Sequence, residues 1–322
     1  MAAGNRKSPK RAQSSESRYS LMEFMRDFPD DDACLTWLWQ TRFETEDGTG
    51  AHCPKCQCVR KFAKYTTAQQ RQSWTCTACG VHVHPTAGTI FHKSSTSLHL
   101  WFYAMYLMTS TRCGISAKQL ERELGVTYKT AWRMFHLIRN ELMDQSDEAL
   151  LTGAVEADET YVGGRPRAKD RVRLPDGRIR RGPSNKPKAM VVGAVERGGR
   201  VRASVVPQTD GAIARTVEAY VSTDAQLITD EHPGYIAPGL KYAGHDRIKH
   251  SEKVYVSGDV HTQTIDGFWS LVKRGIGGTH HAVSAKHLQG YLNEYVWRYN
   301  NRDEDGPALF ALLLVRAAFT RV

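Results

Sequence analysis

No stretch of this 322-residue sequence reaches the eighteen or so consecutive apolar residues that a membrane-spanning helix needs. The nearest candidate, Leu98-His-Leu-Trp-Phe-Tyr-Ala-Met-Tyr-Leu-Met108, is too short and contains a histidine, so it is expected as a buried helix. Also lacking, behind the basic residues of the N-terminus, are the apolar core and cleavage site of a secretory signal. With secretion set aside, the seven cysteines read as reduced thiols or metal ligands rather than a disulfide framework. Residues 1–18 hold almost nothing apolar; five Lys and Arg, one Glu and four Ser cannot offset the entropy of folding, so a disordered basic tail is expected. The expected location is cytoplasmic and nucleoid-associated, with no membrane partner.

What is present is positive charge. The formal net charge of +10 favours a polyanionic partner, nucleic acid being the commonest, although charge says nothing about fold. Its distribution says more: residues 164–188 carry ten Lys and Arg against two Asp, so this one insert contributes +8. Arg165, Arg167, Arg178, Arg180 and Arg181 within it are candidates for contacts to backbone phosphates, with strong salt dependence and no sequence reading. A solvated linker without a role is the alternative.

The chain is long enough for two or three domains. Between Ser20 and Phe43 apolar residues recur at helical spacing, broken by Pro29, which predicts two short helices in a segment 19–49. Cys53-Pro-Lys-Cys56 and Cys76-Thr-Ala-Cys79, separated by nineteen residues, then have the spacing of a four-cysteine zinc ribbon, here 50–92. Each pair makes a knuckle aiming two thiolates at one tetrahedral ion; four thiolates leave no open position, so one structural Zn²⁺ is expected. Cys58, His52, His82 and His84 lie close enough in sequence to substitute for one ligand.

Residues 93–148 read as a helical region. Gly114 to Phe135 gives helix, glycine turn at Gly125 and helix, a helix-turn-helix form with Ser116 and Thr127 as N-caps. On the second helix Ala131, Phe135, Ile138 and Leu142 share one face, while Lys129, Arg133, His136 and Asn140 share another that can meet DNA. A plain scaffold helix is the alternative.

From 149 to 322 strands alternate with helices. Strands are expected at 154–162, 189–196, 201–206 and 226–229, with a Gly198-Gly199 hairpin, and helices at 211–221, 262–274 and 284–299. This mixed α/β order matches the RNase H-like fold by analogy. The first strand carries Asp158 and the fourth ends at Asp230; Asp266, with thirty-five residues between it and Asp230, falls on the following helix. Three acids so placed suggest a site for Mg²⁺, a hard ion that takes carboxylate oxygens, and two such ions can serve one phosphoryl displacement.

The stretch His261-Thr-Gln-Thr-Ile-Asp-Gly-Phe-Trp-Ser-Leu-Val-Lys-Arg-Gly-Ile-Gly-Gly-Thr-His-His281, with Ala157-Asp-Glu-Thr-Tyr-Val-Gly-Gly164 and the cysteine ribbon, resembles bacterial insertion-sequence DDE transposases of the ISXO-like, Merlin-related group. The likeness covers roughly residues 20 to 305. It implies a zinc ribbon before an RNase H-like domain whose acidic triad binds two Mg²⁺ (or Mn²⁺) and cuts and joins double-stranded DNA at terminal inverted repeats. It also implies action as a homodimer or higher on paired ends.

Carried over, Asp158, Asp230 and Asp266 match the three acids, with Asp at 266 where the family usually has Glu. Lys273 matches a basic residue seven positions on, two helical turns from Asp266 and so on its face. Glu156, Glu159, Asp259, His261, His280 and His281 flank these motifs without an assigned role. Two rivals remain: a structure-selective nuclease on the same fold, and a DNA-binding regulator with an inert acid cluster.

Overall fold

The computed structural model describes residues 19–66, 72–111, 114–144, 149–163, 175, 188–248 and 261–321. The tail 1–18 and nearly all of the basic insert, including Arg165, Arg167, Arg178, Arg180 and Arg181, lie outside them. The chain divides into two units, separated after Phe135 and again after Arg302.

In the first unit, helix α1 (Leu21–Asp27) starts at a capping box: the Glu23 N–H donates to Ser20 Oγ and the Ser20 N–H to the Glu23 carboxylate. Helix α2 (Asp31–Arg42) is capped by Asp30, which accepts from the Ala33 N–H at 2.9 Å. Strands β1 (Ala51–His52) and β2 (Val59–Arg60) pair antiparallel, and β3 (Phe62–Thr66), β4 (Gln72–Cys76) and β5 (His82–Val83) form a three-stranded antiparallel sheet in that order. Trp39 of α2 stacks on Trp74 of β4 with centroids 4.8 Å apart, so this small sheet shares a core with the preceding helix.

Helix α3 (Leu98–Ser110) is buried over most of its length, as its uniform apolarity requires. Helix α4 (Ala117–Leu124) is capped by Ser116 and ends at Gly125, whose left-handed φ of 63° makes the turn that a side chain would strain. Helix α5 (Tyr128–Leu137) begins after Thr127, whose Oγ1 accepts from the Thr130 N–H.

The second unit opens with the last two residues of α5 and the π-helical turn Ile138–Leu142 that continues it. Ala131, Phe135, Ile138 and Leu142 are all buried, as their spacing requires. Strands β6 (Ala154–Gly163), β7 (Lys188–Glu196) and β8 (Val201–Val206) follow as an antiparallel meander, then α6 (Asp210–Tyr220), β9 (Gln226–Thr229), α7 (Ile236–Gly239), β10 (Gly244–Arg247), α8 (Gln263–Gly275) and α9 (Leu288–Asn300). The sheet order is β10-β9-β6-β7-β8, with β9 parallel to β6 and β10 parallel to β9.

Helices cover both faces. Val191 and Val195 of β7 pack with Phe268, Trp269, Val272 and Leu292 from α8 and α9, whereas Met190, Val192 and Ala194 pack with Ile213 and Val217 from α6. Burial on both faces explains why β7 reads as an unbroken apolar run rather than an alternation. Each buried Val, Leu, Ile, Met or Phe side chain among them contributes about 1.5–3 kcal/mol.

Strand β10 and the chain's closing helix, α10 (Gly306–Phe319), add to the elements expected from sequence. Helix α10 belongs to the first unit, where its Phe310 lies among Phe24, Phe28 and Tyr106, so the 149–322 segment does not stay together to its end. Among the described residues no helix is long and apolar enough to cross a membrane.

Candidate catalytic carboxylate site

Strand β6 alternates its side chains between two helical layers, so Glu156 and Asp158 face α8 while Ala157 and Glu159 face the other way. Parallel pairing runs β9 beside it from Gln226 opposite Ala154 to Thr229 opposite Ala157, where β9 ends. Asp230 is therefore the first residue past the strand, level with Asp158. Its Oδ1 accepts the His232 N–H at 2.9 Å, which fixes the turn.

Asp158, Glu159 and Asp230 each bring an oxygen within 4.8 Å of the others. Neighbours on one strand can meet in this way because β9 stops short and leaves the edge of β6 open at this level. Glu159 Oε2 also accepts from the buried Tyr235 hydroxyl at 2.9 Å. Burial, then the charges of Glu159, Asp230 and Asp266, raise the Asp158 carboxyl to about 8, opposed by the indole N–H of Trp269, which donates to its Oδ2 at 2.9 Å. Burial and Asp230 likewise raise Glu159. Crowded carboxyl oxygens that resist sharing negative charge are the donor set a hard divalent cation stabilises, so the residues fit Mg²⁺.

Asp266 stands in the first turn of α8, near enough to act on Asp158 but not part of the 4.8 Å group. It is exposed, with Thr262 Oγ1 3.4 Å from its Oδ2. Asp266 and Lys273 line one open cleft of about 390 Å³ with Trp269, Ser270 and Arg274. Sequence reasoning left Glu159 unassigned and gave Trp269 no part in the site; Trp269 is core, and it also holds Asp158. Three residues after Asp266 on a helix, it shares that residue's side, a spacing from which the contact could have been inferred.

Glu156, also unassigned, is fully buried. Its carboxylate accepts from Arg197 Nε at 2.7 Å, from the Thr264 N–H and hydroxyl at 2.8 and 2.9 Å, and from the Ile265 N–H at 3.0 Å. His261 Nδ1 lies 3.3 Å away. His280 is turned instead towards Arg139, and Asp259 lies outside the described residues.

In the first unit the sulfurs of Cys53, Cys56, Cys76 and Cys79 converge within 4.8 Å, Cys53 and Cys79 at 3.6 Å. The two knuckles are built alike: Gln57 and Gly80, each four residues past the first cysteine of its pair, take positive φ and donate their N–H to the carbonyls of Cys53 and Cys76. Cys58 and the three neighbouring histidines are not part of this group. Four convergent thiols fit a tetrahedral zinc ion.

On α5, Lys129 and Arg133 are exposed. His136 and Asn140, in the second unit, are half-buried; Asn140 Nδ2 is 2.9 Å from His136 Nε2, and His136 meets His287 edge-on.

Residues 150–300 match the ISXO2-like transposase domain family. The chain is 29% identical over 257 residues to an uncharacterised protein in transposable element ISH50 of Halobacterium salinarum, covering 77% of this chain and 85% of that protein. No solved structure matches the chain.

Proposed function

We propose that this chain is an insertion-sequence transposase of the ISXO2-like group, and that it binds the terminal inverted repeats of its element, cuts the DNA there and joins the freed ends to target DNA. The observation that carries this reading is the convergence of Asp158 and Glu159, midway along β6, with Asp230, just past the carboxyl end of the parallel strand β9, and with Asp266 and Lys273 on one cleft beside them. The sheet order, three antiparallel strands followed by two parallel to the first, supports an RNase H-like catalytic domain.

The reaction is two phosphoryl transfers. Water attacks a phosphodiester at the element end and the 3′-oxygen leaves as a hydroxyl; that hydroxyl then attacks a phosphodiester of the target, forming a new P–O bond while the target's own 3′-oxygen leaves and takes up the proton. Asp158, Asp230 and Asp266 would hold two Mg²⁺ (or Mn²⁺), which when bound would supply charge neutralisation and activation of the attacking oxygen. Glu159 adds a carboxylate to the Asp230 side. Trp269 fixes the rotamer of Asp158 through its N–H, and Lys273 offers its ammonium to a phosphate in the cleft.

Cys53, Cys56, Cys76 and Cys79 would hold a structural Zn²⁺. DNA is gripped by the basic insert and by Lys129 and Arg133 on α5, in helix-turn-helix manner, with the protein acting as a homodimer or higher on paired ends. His136 and Asn140 serve that face less directly, since each is already engaged in the second unit.

The test is incubation of purified protein with Mg²⁺, a duplex carrying the ends of its element and a supercoiled plasmid. Joined products are expected. Cleavage without joining supports a nuclease, and binding without either supports a regulator.

A further inference from the structure

We infer that Glu156 is a positioning residue that sets the third carboxylate against the first, by capping α8 from the strand that carries Asp158. The inference deepens the transposase reading and rests on it.

A helix exposes unpaired N–H groups in its first turn, usually met by the side chain of the residue before it. Helix α8 lacks that device: Thr262 makes no side-chain cap, its hydroxyl lying towards Asp266 instead. Glu156 does the work from another element, accepting the N–H groups of Thr264 and Ile265, the second and third residues of the helix, and the Thr264 hydroxyl. Asp266 comes next. Two residues along β6, on the same face, Asp158 receives the Trp269 indole.

The strand thus holds the helix at two points, residues 264–265 and residue 269, with Asp266 between them. Both Glu156 oxygens are occupied, with Arg197 balancing the charge, which assigns the group to anchoring rather than to binding an ion. An anion at this helix end is also favoured by the helix dipole.

Glu156→Gln keeps the shape but loses the charge and one acceptor, since its amide turns a donor towards donors. Hydrogen exchange should accelerate in a peptide covering residues 261–270 and not elsewhere in the sheet. Joining of element-end DNA at saturating Mg²⁺ should fall on the order of a hundredfold, as for a catalytic group misplaced by about 1 Å. The Mg²⁺ concentration for half-maximal joining should rise, and DNA affinity should hold.

A merely structural role would lower the active fraction without moving that half-saturation point. Thr264→Val, which removes one of the four hydrogen bonds and keeps the fold's bulk, should shift half-saturation the same way by a smaller factor and serves if the glutamine variant does not fold. Unchanged exchange at 261–270 with unchanged Mg²⁺ dependence overturns the inference. If wild-type protein joins nothing, the transposase reading fails, while exchange still decides the anchoring.

Discussion

The indole Nε1 of Trp269 stands 2.9 Å from Oδ2 of Asp158, and the ring reaches it only because the residue paired with Asp158 across the sheet is Gly193. A Cβ at 193 would sit 2.7 and 2.8 Å from two atoms of that ring. The glycine is there for a close approach and not for its backbone freedom.

Gly193→Ala should therefore displace Trp269, cost about 1–3 kcal/mol of stability by overpacking and leave Asp158 without its donor. Denaturant unfolding and the joining assay, run side by side, check both. Wild-type stability with wild-type joining would show that the ring has room to move.

Asp158→Asn removes the carboxylate at the centre of the group. It should abolish chemistry while retaining DNA binding, and calorimetry with Mn²⁺ should show the strongest site weakened at least tenfold. Glu159→Gln should also weaken Mn²⁺ binding, by less, because Asp158 and Asp230 remain together. Wild-type Mn²⁺ binding in the Glu159 variant would remove that residue from the ligand set. Joining that survives Asp158→Asn would refute the catalytic assignment.

The ribbon has little core of its own beyond Trp39, Ala51 and Trp74 with the residues packed on them, so its fold should depend on metal. A strong chelator should unstack Trp39 from Trp74 and change tryptophan fluorescence, with recovery on adding Zn²⁺. Metal analysis should find one zinc per chain. Cys58→Ser should leave that content intact and Cys79→Ser should reduce it, because only the second sulfur lies in the group.

Much of this was legible beforehand where pattern and packing agree. Strands β6 to β9 and helices α6, α8 and α9 fall within a residue or two of their apolar spacing, apart from the 3-10 turn Ala285–His287 that leads into α9. Strand β10, Gly-His-Asp-Arg, has no apolar alternation, and only parallel pairing with β9 makes it a strand. Helix α10 is apolar on nearly every side, so it shows no periodicity to read. Asp158 and Asp230 were visible as acids on the first strand and at the end of the fourth, although Asp158 stands midway along β6 rather than at its end. Glu159 was not, because adjacent strand residues face opposite ways, and only the early end of β9 brings it to Asp230. Glu156 was visible as sharing the side of Asp158, but its engagement with α8 depends on how that helix docks.

A separate ionic network should make the second unit acid-sensitive in two stages. Glu294 of α9 is fully buried against Arg139, which also lies over the Tyr291 ring, and against Arg298. Burial pushes its carboxyl up, but the two guanidinium groups outweigh that and hold it at about 2. Burial and then the charge of Arg139 hold neighbouring His280 down, at about 4. Both folded-state values lie below those of the unfolded chain, about 6.5 for His and 4.3 for Glu, so in each case the unfolded chain takes up a proton first as pH falls. Stability is thus fully present near pH 7, declines between about 6.5 and 4 as His280 resists protonation, and declines again below about 4.3 on account of Glu294. Urea unfolding at pH 7, 5 and 3.5 should show this order. His280→Asn should flatten the upper stage and leave the lower one, whereas Glu294→Gln should destabilise the protein by about 3–5 kcal/mol already at pH 7, because it removes one charge of the buried Arg139–Glu294 ion pair.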